Sequence, residues 1–221
     1  MDLYENRVIV RHENSDPISI ADMDTWDSGD NADIPFTATI GAPNTLSLPA
    51  NRKLIVWTNK EFEPTGNVTV TGGGGGAAYD GTLELYAGAT FDAAGSESHT
   101  IGGSLLMGAG ASFDDETSTM TFTTNGAART IDSNDQSFYN AVFNGSGSWT
   151  VTNSILSVGN DLTITQGTVT LPTGTTTISG SLLNNGGAFV SSGGTMVFDS
   201  GTSETIRPRT SSFGTLLVSG N

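Results

Sequence analysis

Five carboxylates fall within a twelve-residue stretch, at Asp22, Asp24, Asp27, Asp30 and Asp33. Oxygen ligands at that density are what a hard divalent cation such as calcium requires. The spacing is not that of an EF-hand, whose sixth loop position is glycine, because Trp26 and Asp27 occupy the fifth and sixth places here. The stretch therefore reads as an irregular calcium loop, set against an exposed turn held by Asx hydrogen bonds. A second acidic run, Asp114-Asp115-Glu116, and the close pair Asp132 and Asp135 supply the carboxylates that general acid–base cleavage of a glycosidic bond would use. No Gly-His-Gly or Arg-x-Lys accompanies them, so a solvated corner is the stronger reading. His12 and His99 are the two histidines, and no Gly-x-Ser-x-Gly elbow is present to partner either. His99, in SESHTIGG, is expected at a strand edge. The pentaglycine Gly72–Gly76 lacks the following Lys-Ser/Thr of a phosphate loop. The absence of cysteine removes disulfides, thiolate metal sites and thiol catalysis together. No catalytic residue is assigned, and calcium is the one cofactor considered.

The elements that would position these groups announce themselves by a glycine that returns after a short apolar run. Examples are LELYAG ending at Gly88, LLMGAG at Gly110, MTFTTNG at Gly126, VFNGSG at Gly147, LTITQG at Gly167, LLNNGG at Gly187, MVFDSG at Gly201 and LLVSG at Gly220. The intervals run from 14 to 22 residues. A unit this short cannot bury its own apolar face, so it stacks on its neighbours. Alternating Val, Ile, Leu, Phe and Thr predict strands, and the 29 glycines suit many tight corners. Leu162, Ile164 and Leu182 are expected inside, with aromatic stacks from Phe91, Phe113, Phe122, Phe143 and Phe189.

A longer repeat overlies the short one. GSLLMGAGASF at 103–113 matches GSLLNNGGAF at 180–189, and STMTF at 118–122 matches GTMVF at 194–198. The offsets are 77 from Leu105 to Leu182, 76 from Phe122 to Phe198 and 75 from Phe138 to Phe213. This predicts a four-coil super-repeat, duplicated once. The fold expected is all-β, a right-handed parallel β-helix of about eight to nine short coils with an N-terminal cap, since parallel crossovers are overwhelmingly right-handed. Residues 1–61 form the capping segment in this reading, with strands at RVIVRH and KLIVW and the acidic loop between them. Residues 62–221 form the helix. Varying coil length argues against an ice-matched array for threonine runs such as TVT at 168–170 and TTT at 175–177.

The formal net charge of −15 argues against nucleic acid as a partner, because phosphate binding needs clustered Lys and Arg. From Glu61 to Ile206 the only basic residue is Arg129. No apolar stretch approaches the ~18 residues of a membrane span, and the N-terminus shows no signal-peptide core.

The segment SFYNAVFNGSGSWTVTNSILSVGNDLTITQGTVTLPTGTTTISGSLLNNGGAF (137–189) resembles repeats of large secreted bacterial and archaeal surface proteins. Its coils are similar to those of autotransporter adhesins and filamentous-haemagglutinin-like exoproteins. The resemblance covers about residues 62–221 and rests on structural positions. It implies a non-catalytic structural or adhesive module at the cell surface or outside the cell. The partners expected are further copies of the chain, head to tail or lateral, or a cell-surface or glycan receptor. A phage or virus fibre is the alternative function, and a polysaccharide-degrading β-helix enzyme the second alternative.

Overall fold

A computed structural model gives the backbone path of five N-terminal strands, Asp2–Tyr4, Arg7–Val10, Ile18–Ser19, Thr25–Asp27 and Thr37–Gly41. From Thr45 to Ser219 it describes every residue except 49, 51, 60, 65, 74–79 and 94. The described residues contain strands and corners and no helix.

The strands wind into a β-solenoid of about eight coils, each contributing to three faces. The first face stacks Thr45–Leu48, Val68–Val70, Ser98–Ile101, Thr119–Phe122, Asn140–Phe143, Leu162–Ile164, Leu182–Asn184 and Ile206–Arg207, all parallel. The second stacks Lys53–Val56, Thr82–Leu85, Leu105–Met107, Ala128–Asp132, Ser148–Val151, Thr168–Thr170 and Ala188–Val190. The third is split into two sheets. Glu61–Glu63, Thr90–Asp92 and Ser112–Asp114 belong to one, and Ser137–Phe138, Ile155–Val158, Thr175–Ile178, Thr195–Phe198 and Thr215–Val218 to the other. Across that break Ser137 Oγ donates to Asp115 Oδ2 at 3.0 Å, and the Phe113 and Phe138 rings lie 5.6 Å apart.

Strand alternation sends every second side chain inward. Leu162, Ile164 and Leu182 are fully buried, as expected from their pattern. A continuous aromatic column runs Phe62, Phe91, Phe113, Phe138, Phe122, Phe143 and Trp149, with successive centroids 5.0–5.9 Å apart. Phe189 packs instead on Phe213, at 5.5 Å.

The ladder register is more regular than the glycine spacing. On the second face Ala128, Ser148, Thr168 and Ala188 are successive partners, a step of 20 residues each time. The third face keeps the same step through Ile155, Thr175, Thr195 and Thr215. Glycine intervals of 16 and 14 arise because Gly110 and Gly126, and Gly187 and Gly201, sit at different corners of the coil. Larger steps occur earlier, as between Lys53 and Thr82, where the glycine-rich segment lengthens a corner.

Nor does the 75–77-residue repeat coincide with the ladders. Leu105 lies on the second face and Leu182 on the first; Phe122 lies on the first and Phe198 on the third. Both of these matches are eleven strands along the chain, one short of four complete three-strand coils. Three faces built by the same alternation accept the same segment, so sequence similarity need not follow the coil. Parallel pairing also reaches back before residue 62, since Thr45–Leu48, Lys53–Val56 and Glu61–Glu63 form one rung of the stack. Arg7–Val10 pairs parallel with Lys53–Val56 on one edge and antiparallel with Asp2–Tyr4 on the other. Both its edges are filled within the chain.

Candidate functional site

The proposed calcium ligands Asp22, Asp24, Asp30 and Asp33 lie outside the described residues, as does His12. Asp27 belongs to the strand Thr25–Asp27, whose backbone alone is described. Among the described residues no three His, Asp or Glu side chains gather as a metal would require.

The later carboxylates act as corner fasteners. Asp114 and Glu116 are exposed, while Asp115 accepts the Ser137 hydroxyl of the next coil. Asp132 Oδ1 accepts from Asn153 Nδ2 at 2.9 Å and from the Asn134 backbone N–H at 3.2 Å. Asp135 Oδ1 accepts from the Ile155 N–H at 3.3 Å. Asp115, Asp132 and Asp135 each answer a donor on a neighbouring loop or rung. Near the C-terminal corner, hydrogen bonds from Ser200 and Thr202 hold the Glu204 carboxyl below its ordinary range.

His99 corrects the strand-edge expectation. It points into the core in register with Met120 and is fully buried. Nδ1 accepts from the Val68 N–H at 3.2 Å, so the neutral ring carries its proton on Nε2, which faces the Ala93 carbonyl at 3.1 Å. Phe91 meets the ring edge-on at 5.2 Å. Burial pushes the imidazole below the usual histidine range, against smaller opposing contributions from the Ala93 hydrogen bond and the Glu97 charge.

Sequence reasoning passed over a buried ion pair. Arg129 points inward from the second face, and its guanidinium Nη2 sits 2.8 Å from Asp80 Oδ2, both side chains almost wholly buried. Asp80 also accepts the Gly73 N–H at 2.6 Å, and Arg129 Nε donates to Thr124 Oγ1 at 3.2 Å. The pair ties a corner of one coil to a strand two coils on. Gly102 and Gly103 occupy the corner between: a Cβ on Gly102 would fall 2.0 Å from the Gly72 nitrogen, and one on Gly103 2.2 Å from the Asp80 carbonyl oxygen. The alternation in ALA-ARG-THR-ILE at 128–131 carried the signal, since Arg129 shares its inward phase with Ile131.

Two surface features remain as sites. One is an open hollow of about 450 Å³ on the second face, lined by Thr58, Glu84, Tyr86, Leu106, Met107 and Asp132, among others. Glu84 and Asp132 lie two rungs apart, on either side of Leu106. Both are already engaged, Glu84 by Lys53 Nζ at 2.5 Å and Asp132 by Asn153 and Asn134. The other is the C-terminal rung. Leu216 and Val218 continue the inward ladders of Met196 and Phe198, and Ile206 continues that of Leu182. Their covered partners are at most 3% exposed, whereas Ile206, Leu216 and Val218 are 37%, 44% and 62% exposed. The core thus presents its cross-section there, beside the outermost strands of three sheets, Ala188–Val190, Ile206–Arg207 and Thr215–Val218.

Comparison with protein-family models, curated proteins and solved structures finds no match to this chain. The β-solenoid itself stands on the ladders described above.

Proposed function

We propose that this chain is a non-catalytic structural module of an extracellular surface protein, a stiff acidic rod that associates with further copies end to end. The observation that carries the reading is the continuous parallel stack of about eight coils, whose ladders a further strand layer can extend. Apolar ladder positions and unpaired parallel edges together form a surface that another strand layer would cover, burying Ile206, Leu216 and Val218. The other ends of the second- and first-face sheets are strands of the N-terminal segment, Asp2–Tyr4 and Thr25–Asp27, while Ile18–Ser19 ends the separate four-stranded sheet of the third face. Contact between unlike ends is heterologous and does not close, so it yields a filament. Engaged carboxylates and the resemblance of residues 62–221 to secreted surface repeats favour this reading over polysaccharide cleavage. Calcium binding by the Asp22–Asp33 loop belongs to the same proposal.

Sedimentation velocity over a concentration series tests it. Concentration-dependent growth that the paired changes Leu216→Lys and Val218→Lys abolish is the expected result. A monomer at all concentrations would overturn self-association. Growth unchanged by a calcium chelator would remove calcium from the proposal.

A further inference from the structure

Asparagine is followed by glycine at three corners of the solenoid, Asn125-Gly126, Asn144-Gly145 and Asn185-Gly186. A glycine in that place lets its backbone nitrogen approach the asparagine side-chain carbon, since no Cβ hinders the path and the backbone turns freely. The reaction needs a side chain that can leave its partners and a corner that can rotate. The three corners differ in both.

At Asn144, Oδ1 accepts from Gln166 Nε2 at 3.4 Å, and Gly145 is buried. A Cβ on Gly145 would fall 2.2 Å from the Thr124 carbonyl oxygen of the preceding coil. At Asn185, Oδ1 accepts from Arg207 Nη1 at 2.9 Å, and the backbone carbonyl accepts from Arg209. A Cβ on Gly186 would fall 2.6 Å from the Thr165 carbonyl oxygen. Asn125 and Gly126 are both exposed. Among the described residues the Asn125 side chain has no hydrogen-bond partner, and nothing lies within 4 Å of a Cβ on Gly126. Neither reacting group is held in place there.

We propose that Asn125-Gly126 is a site of spontaneous covalent modification. The Gly126 nitrogen bonds to Asn125 Cγ while the bond from Cγ to the amide nitrogen breaks. That nitrogen leaves as ammonia, taking the proton from Gly126. Water then opens the cyclic imide at either carbonyl, giving aspartate or isoaspartate. Both products add a negative charge beside Thr124, whose hydroxyl accepts from Arg129 Nε at 3.2 Å and whose carbonyl accepts from the Gly147 N–H at 3.2 Å. The isoaspartyl product also routes the main chain through the former side-chain methylene. It thereby lengthens the corner that leads into Ala128–Asp132, the strand from which Arg129 reaches Asp80. Ageing of the chain is in this way coupled to its buried ion pair.

The test is incubation of the intact folded chain in mildly alkaline buffer, followed by peptide mapping with mass spectrometry that separates aspartate from isoaspartate. Conversion at Asn125 is expected to run about tenfold faster than at Asn144 or Asn185, equivalent to about 1.4 kcal/mol of restraint at the slower sites. In denaturant the three sites are expected to convert at similar rates. The denaturation midpoint of the wild type is expected to fall as product accumulates, and that of Asn125→Ser to hold steady. Equal conversion at the three sites in the folded chain, or an Asn125 that stays intact, overturns the proposal. Selectivity that persists in denaturant overturns its structural cause. A midpoint that falls equally in Asn125→Ser overturns the coupling to the ion pair.

Discussion

Arg129 and His99 show how single polar residues are kept inside an otherwise apolar coil. A buried charge costs several kcal/mol unless a partner and hydrogen bonds compensate it, and Asp80 with Thr124 does so for Arg129. Arg129→Met leaves Asp80 buried without that cation, and chemical denaturation should show a loss of about 3–5 kcal/mol. Adding Asp80→Asn should restore part of it; no recovery would mean that packing rather than charge is at stake. His99 makes stability depend on pH with a definite sign. Its folded proton affinity lies below the ordinary value of 6.5, so between the two the unfolded chain binds more protons. Its contribution is therefore complete above about pH 6.5 and declines as pH falls through that value. Denaturation midpoints between pH 7.5 and 5.5 should fall more steeply for the wild type than for His99→Gln. Parallel slopes would contradict this account. Neither role was legible as chemistry in the sequence. Arg129 stood out there only as a lone cation, and its partner lies 49 residues earlier in the chain.

At the scale of the element, strand phase could be read from the sequence and coil register could not. Inward residues such as Leu162, Ile164 and Leu182 were evident from alternation, because the period of two is written locally. Register depends on which corner a glycine occupies. Gly88 and Gly110 occupy the same corner, with φ of 68° and 70°, whereas Gly126 lies at another. Corner chemistry of one kind serves all three faces, so the 75–77-residue similarity crosses from face to face. The crowded corner gives a test of its own. Gly102→Ala introduces a Cβ 2.0 Å from backbone, while nothing lies within 4 Å of one at Gly201. Gly102→Ala should lower the melting temperature markedly, and Gly201→Ala should leave it nearly unchanged. Equal effects would mean that the corner relaxes freely.

For the whole molecule, length follows from the number of rungs. About eight rungs at ~4.8 Å give a stack of about 35–40 Å, closed along its length by three ladders. At the C-terminal rung the core positions Ile206, Leu216 and Val218 lie open. Of the candidate catalytic carboxylates, Asp115, Asp132 and Asp135 became fasteners once placed, each accepting from a donor of the next coil. What the sequence could not disclose was the state of the ends, which depends on which ladder positions have a following rung. Negative-stain electron microscopy of the purified chain tests the central claim most directly. The account predicts rods several times the length of one stack, reduced to single short particles by Leu216→Asp with Val218→Asp. Short particles in the wild type at every concentration, or rods that persist in the double variant, would contradict it.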